Sequence, residues 1–391
     1  MSAVLLGKEL RIMTKKEIKI GLLGFGFMGK THAFAVNSLP YFCKDLPFHA
    51  SIHGVCTRSL EKSNAIAAEF GIPVATDRAD DLINDPEIDV IDVCTPNTLH
   101  VDAVRRALAA GKHVYCEKPL ADTLENAEEM AALAAQSGRI CNVVFNNRHL
   151  SAVCRAKELI DEGRIGRILS FDFHYLHNSC TDPSRKAGWK QTADVCGKGG
   201  VLFDLGAHVL DLAVHLCGEI DTVIGKSQIA FQTRADANGN PWQTDAPEAF
   251  YMLLTTKEGA HGTVTASKLT MGTNDDLGFT VYGTKGALKF SLMNPNYLGF
   301  YDNTASHQPY GGTAGFTQIE CVGRYPDPAG AFPSPKAAQG WLRGHIMGMC
   351  SFLTAVYEGR QNEPSFAHGA YIQRIMDAAL RSDETGKEVH V

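Results

Sequence analysis

The stretch IKIGLLGFGFMGKTHA (residues 18–33) reads as an apolar β-strand running straight into a glycine-rich turn and then a helix. Gly24, Gly26 and Gly29 match the pattern G-x-G-x-x-G at the place where its chemistry requires it. Gly24 permits the tight turn, Gly26 lets the backbone approach a pyrophosphate, and Gly29 allows close packing of the helix. The helix start supplies unsatisfied N–H groups to the phosphates. A dinucleotide site built on Gly24, Gly26, Phe27, Met28 and Gly29 follows.

Outward from this loop, short β-rich runs alternate with segments of helical period. The runs are SIHGVC (51–56), DVIDVCT (89–95), HVYC (113–116) and ICNVVF (140–145). Helices are predicted over 29–38, 60–70, 101–110 and 124–136, the last three closed by Gly71, Gly111 and Gly138. Strand and helix in alternation predict a parallel sheet wrapped by helices, an α/β fold. After Phe145 the rhythm changes. A helix over 151–162 leads into period-two strands such as RILSFDFHYLH, TVIGKSQIAFQ, EAFYMLLTTKE, GTVTASKLTM and GFTVYGTKGALKF, which predict half-buried antiparallel pairing. Residues 293–340 read as an irregular excursion, and helices are expected over 341–357 and 367–381. The division is therefore a Rossmann dinucleotide-binding domain over 17–147 and an α+β domain over 148–391.

Composition agrees. The 391 residues exceed what one core of roughly 100–200 residues holds. A chain 45% hydrophobic and 20% charged is globular, which excludes a disordered or collagen-like protein. Its net charge of −6, with no long basic run, excludes a nucleic-acid binder. Eleven dilute cysteines with no Cys-x-x-Cys pair fit a reducing cytoplasm, and neither a signal peptide nor a membrane span is expected.

The choice between NAD and NADP stays open. The second strand ends at Cys56-Thr57-Arg58 with no carboxylate for a ribose hydroxyl; Thr57, Arg58 and Ser59 could hold a 2′-phosphate, or Thr57 and Ser59 could simply cap the next helix. An insertion around Pro40 to Pro47 accounts for the displacement of this strand end. Two further turns should face the same crevice, Thr95-Pro96-Asn97-Thr98-Leu99-His100 and Glu117-Lys118-Pro119. Thr95, Pro96, Asn97, His100, Glu117, Lys118 and Asn146 complete the expected cofactor contacts.

Together GFGFMGKTHA (24–33), CTPNTLH (94–100), YCEKPLA (115–121), VVFNNRH (143–149) and GGVLFDLGAHVLDLAVHLCG (199–218) resemble the Gfo/Idh/MocA family of NAD(P)-dependent oxidoreductases, over nearly the whole chain. The resemblance implies a C-terminal domain with a large, mostly antiparallel sheet that packs sheet to sheet in oligomers, and substrates among sugars, inositols and related polyols. It implies that Lys118 contacts substrate and nicotinamide, and that Asp204 and His208 meet the reactive hydroxyl. Spaced i, i+4 on a helix, Asp204 and His208 would share one face. Histidine suits removal of a hydroxyl proton and the Lys118 ammonium suits stabilisation of the alkoxide, but which of the two takes the proton is open. Asp211 and His215 lie on the same helix and are expected to be structural; no metal is expected. Asn146 and Arg148 match the family's Asn-x-Arg, with Asn147 replacing the usual aromatic, and Trp189-Lys190 stands where relatives have Trp-Arg. Of His174 and His177, opposite parity allows at most one to face the substrate.

The expected activity is hydride transfer from a secondary hydroxyl of a sugar, glycoside or cyclitol to NAD(P), by a cytoplasmic homodimer or homotetramer. The alternatives are a glycosidase that retains its nicotinamide and acts by transient oxidation and elimination, and a non-catalytic sugar or cofactor sensor.

Overall fold

The computed structural model describes residues 15–391 except 187, 189–191, 194–196, 237, 306–310, 313, 324–331, 333, 335, 336 and 339. Strands β1 (Lys16–Leu23), β2 (Phe48–Cys56), β3 (Val74–Thr76), β4 (Val90–Val93), β5 (His113–Cys116) and β6 (Cys141–Val143) form a parallel sheet in the order β3-β2-β1-β4-β5-β6. The order reverses direction at β1 and β4, so the crevice beyond their carboxyl ends is where such sheets bind ligands. β3 escaped the sequence reading because three residues carry no measurable period.

Helices α1 (Phe27–Phe42), α2 (Leu60–Phe70), α3 (Ala79–Ile83), α4 (His100–Ala109) and α5 (Leu124–Ser137) connect the strands. α2 and α5 begin on side-chain caps from Ser59 and Thr123 and end on left-handed Gly71 and Gly138. α1 runs four residues past its expected end. Pro40 sits in its last turn, while Leu39 and Cys43 are buried beneath it. The stretch read as an insertion is thus partly helix.

The second domain opens with α6 (Ser151–Asp161) and β7 (Ile168–Leu176), continues through a π-helical turn (Leu202–Gly206) into α7 (Ala207–Cys217), and builds a nine-stranded sheet. Its strands are β7, β8 (Ile220–Gln228), β11 (Ala249–Thr256), β12 (His261–Ser267), β13 (Asp276–Gly283), β14 (Gly286–Ser291), β15 (Tyr297–Asp302), β16 (Thr317–Glu320) and β17 (Val389–His390). β9 (Thr233–Ala235) and β10 (Pro241–Gln243) form a separate hairpin. Among the described residues β7 and β12 are the one parallel pair of the large sheet, and its other pairs are antiparallel. β15 and β16 lie inside the segment expected to be irregular and extend the sheet edge.

Alternation along β7 buries Phe171, Phe173 and Tyr175 on the helix side and turns Asp172 and His174 to the other face. Helix α8 (Trp341–Glu358) returns to the first domain: its Ile346, Met349, Phe352 and Leu353 share one core with Ile20, Leu22, Val36 and Leu39. Helix α9 (Phe366–Thr385) packs on α5 and β8. Among the described residues no helix is long and apolar enough to cross a membrane.

Candidate active site

The glycine loop shows what each glycine is for. Gly24 has φ +92°, and a Cβ there would lie 2.6 Å from the Cys94 carbonyl oxygen; one on Gly29 would lie 2.3 Å from the Gly24 oxygen. Those two are required by the fold. A Cβ on Gly26 would meet no protein atom within 4 Å, so its clearance serves whatever the loop holds. α1 starts immediately after it with no side-chain cap, leaving the first-turn N–H groups for an anion. The loop therefore fits a dinucleotide pyrophosphate. Phe27 is exposed and stacks on Trp341 of α8 at 5.7 Å, a neighbour no motif announced.

At the end of β2, the Thr57 hydroxyl donates to the Ser59 carbonyl at 3.0 Å, and Ser59 caps α2 by accepting from the Lys62 N–H at 3.3 Å. These two are occupied locally, and Arg58 lies exposed beside them. Further along the crevice the His100 ring is fully buried. Its Nδ1 is 3.2 Å from both the Pro119 and Leu120 carbonyls, and Nε2 is 3.0 Å from the Thr95 carbonyl. His100 thus staples the Thr95 turn to the Glu117–Pro119 turn, and its ring faces backbone where direct contact with a cofactor was expected. The Thr95 hydroxyl is buried without a hydrogen-bond partner among the described residues, as a polar group awaiting a ligand would be.

Lys118 and Asp204 meet across the two domains: the Lys118 Nζ donates to the Asp204 carbonyl at 2.7 Å and to its Oδ1 at 3.4 Å. Lys268, just beyond β12, holds the other carboxylate oxygen at 2.9 Å and is itself almost wholly buried. One carboxylate between two ammonium groups was not foreseen, because Lys268 belongs to no motif and reaches the site only through sheet register.

Asp204 sits in the π-helical turn and His208 at the start of α7, so the simple i, i+4 spacing of an α-helix does not apply to them. The two are still brought together, and Lys118 and Asp204 both act electrostatically on the imidazole. Burial, reinforced by the Lys118 charge, lowers the His208 pKa to about 3, so the ring is neutral at physiological pH. Its Nδ1 is buried and unpaired among the described residues. Phe145 and Tyr175 approach the ring edge-on, at 6.3 and 5.9 Å.

Beside it lies a second group, of which the sequence reading singled out His177 but not its partner Asp275. Tyr175 donates its hydroxyl to Asp275 at 2.7 Å, and His177 Nε2 lies 2.9 Å from the same oxygen. The parity of β7 places His177 with Tyr175 and sends His174 to the opposite face, between Asp172 and Asp276 at 3.6 Å each.

Several other sequence candidates are engaged by neighbouring side chains. Arg148 clasps Asp211, which also pairs with His368 Nε2 at 2.7 Å. Burial opposes the Asp211 charge, but Arg148 and His368 outweigh it and hold the carboxyl well below the usual range. Asn146 is buried and donates to the Asn147 side chain at 3.3 Å. Burial, aided by Arg148, lowers the His215 pKa to about 4. Trp189 and Lys190 lie outside the described residues. His32, Asp92 and Cys94 place donor atoms within 4.8 Å of one another, and hydrogen bonds join them.

Comparison with known proteins agrees with this architecture. Residues 18–145 match the model of the oxidoreductase family with an NAD-binding Rossmann fold (GFO_IDH_MocA), and residues 153–289 match the GFO/IDH/MocA C-terminal domain. Levoglucosan dehydrogenase of Pseudarthrobacter phenanthrenivorans is 31% identical over 94% of this chain and 96% of its own. Glucose-6-phosphate 3-dehydrogenase of Bacillus subtilis is 26% identical over 95% and 98%. The solved structure of levoglucosan dehydrogenase in complex with NADH and levoglucosan superposes with a TM-score of 0.91, covering 96% of this chain and all of that one at 31% identity. The match of both halves to the family models and the likeness to these enzymes over almost their whole length lead to one conclusion: the chain belongs to the Gfo/Idh/MocA family and is an NAD(P)-dependent dehydrogenase.

Proposed function

We propose that the enzyme oxidises a secondary hydroxyl of a sugar, glycoside or cyclitol to a ketone, reversibly, with Lys118, Asp204 and His208 as its catalytic group. The observation that carries this reading is the Lys118 ammonium held on Asp204, with a neutral His208 close enough for both to act on its charge. Oxidation of such an alcohol removes a proton from oxygen and a hydride from carbon. Nicotinamide, when bound, accepts the hydride.

The other tasks fall to the chain. The Lys118 ammonium stabilises negative charge as it develops on the substrate oxygen. With Nδ1 enclosed, the His208 Nε2 is the ring nitrogen that can take the hydroxyl proton. Asp204 anchors Lys118 and stabilises the imidazolium once the proton has moved. Tyr175, His177 and Asp275 offer hydrogen bonds for neighbouring hydroxyls. The glycine loop would hold the pyrophosphate, Thr95 to Asn97 and Asn146 would line the nicotinamide side, and NAD is the expected cofactor, as in the NADH-bound relative.

Support for a carbohydrate comes from the relatives, which include D-xylose dehydrogenase of Paenarthrobacter nicotinovorans, 29% identical over half the chain. The outer face of the large sheet exposes Ile224, Tyr251, Leu253 and Tyr282, a surface suited to a second copy of the chain in a homodimer or homotetramer.

The test is to follow absorbance at about 340 nm with NAD+ and NADP+ separately against inositols, free sugars, anhydrosugars and glycosides. A steady rise with one pairing is the expected result. Aglycone release with no net cofactor change would instead establish the retained-nicotinamide glycosidase. Lys118→Ala should abolish turnover while cofactor binding stays nearly intact; unchanged turnover would remove Lys118 from the mechanism.

A further inference from the structure

His32 lies on α1, three residues beyond the last glycine of the loop, and is 1% exposed. Its Nδ1 is 2.9 and 3.0 Å from the two carboxylate oxygens of Asp92, and its Nε2 is 3.1 Å from Glu117 Oε1. The other oxygen of Glu117 accepts the backbone N–H of Lys118 at 3.2 Å. A neutral imidazole has one N–H and one lone pair, so it could satisfy only one of two flanking carboxylates. With a carboxylate at each nitrogen, the ring meets both only by donating twice, as an imidazolium.

We propose that His32 is a positioning residue for Lys118: as an imidazolium held between Asp92 and Glu117, it locks the Glu117 carboxylate, which fixes the backbone of Lys118 and so the reach of its ammonium to Asp204. This rests on the catalytic reading of Lys118. The clamp joins the helix of the glycine loop to the turn that carries the catalytic lysine, so both are set by one buried side chain.

The groups facing His32 are Asp92 and Cys94 from β4 and its exit, Tyr115 and Glu117 from β5 and its exit, and His345 from α8. Burial disfavours a charge on His32, but Asp92 and its other neighbours outweigh it and raise the pKa well above 6.5. Glu117 responds in kind: burial opposes its charge, yet the bond to His32, followed by the charges of His32 and Lys118, lowers its pKa to about 2.

The test uses two isosteres and one spectrum. The amide of His32→Asn stands near the Nδ1 position and can reach Asp92, whereas that of His32→Gln stands near Nε2 and can reach Glu117. A displacement of about 1 Å at a catalytic group costs on the order of 100-fold, so His32→Asn should lower kcat by about 10- to 100-fold with ADP-ribose binding unchanged. His32→Gln should recover most of that loss. Equal kcat for the two variants, or wild-type kcat in His32→Asn, overturns the proposal.

If His32→Asn fails to bind ADP-ribose, and so is misfolded, Glu117→Gln replaces it. Exchanging one acceptor oxygen for a donor should lower kcat by the same order, and an unchanged kcat again overturns the idea. Nitrogen-15 NMR of histidine-labelled enzyme should show one imidazolium persisting at about pH 8 and missing from His32→Gln; a neutral ring at that pH is fatal to it. Lys118→Ala separates the two claims: turnover surviving there defeats the catalytic reading itself, whereas a dead Lys118→Ala beside a fully active His32→Asn defeats only the clamp.

Discussion

Lys268 is the sharpest place to perturb this molecule. Its Nζ lies 2.9 Å from Asp204 Oδ2, with side chains 5% and 17% exposed, and Lys118 approaches the other oxygen at 3.4 Å. Lys268→Met keeps the aliphatic stem and deletes the charge. Gross attraction at this distance is about 6 kcal/mol at an effective dielectric constant of 20, and desolvation cancels much of it. Removing one partner of a fully buried pair costs about 3–5 kcal/mol. Here Asp204 keeps Lys118 and some water, so about 2–3 kcal/mol is expected, or roughly 5–10 °C in Tm for a domain of this size.

A double-mutant cycle isolates the contact. Lys268→Met, Asp204→Asn and the pair would be unfolded in urea at about pH 7.5, with tryptophan fluorescence as the probe and refolding checked. A coupling energy of about 2 kcal/mol is expected. A coupling below about 0.5 kcal/mol would show that the buried ion pair does not act as described.

Three other outcomes follow from the geometry. Gly26→Ala should fold normally, because its new Cβ meets no protein atom, yet bind dinucleotide far more weakly; Gly29→Ala should destabilise the fold itself, and the reverse pattern in melting and binding curves would contradict the loop assignment. Arg58→Ala should weaken NADP+ by about ten-fold and leave NAD+ nearly unchanged in fluorescence titrations, with equal losses excluding Arg58 from the ribose side. Stability should fall on acidification below neutral pH. His149, His208 and His345 are held at about 3 and His113 and His215 at about 4, chiefly by burial, so the unfolded chain takes up protons below about 6.5 that the native protein refuses. Their contribution is complete above that pH and is lost as it falls toward 4 and 3; Glu117, at about 2, and Asp211, also lowered, add losses below about pH 4.5. His32, whose pKa is raised, works in the opposite sense, stabilising below about 6.5 and losing its effect as pH rises through its folded value. A urea midpoint flat from about pH 7.5 to 5 would contradict this sum.

The first domain was readable because its signals are local. A strand–glycine–helix sequence, caps at Ser59 and Thr123, and glycines at helix ends each act within a few residues. Where local signals are thin the reading differs from the structure: a three-residue strand has no period, the stretch from Pro40 read as an insertion begins as the last turn of α1, and two strands near the sheet edge lie in a segment rich in glycine and proline. The π-helical turn at Asp204 belongs with these, since an extra residue in a helix leaves the hydrophobic pattern nearly unchanged.

By itself the sequence determined the fold class, the dinucleotide loop and the residue types able to move a proton and a hydride. Only the tertiary structure decided their partners. It set Lys268 against Asp204, gathered Tyr175 and His177 around Asp275, turned His100 into a staple, and seated His32 between two carboxylates from adjacent strands. The reason is physical: turn and cap energies depend on neighbours along the chain, whereas the charge state of a buried group depends on neighbours in space, and those are supplied by sheet order and register.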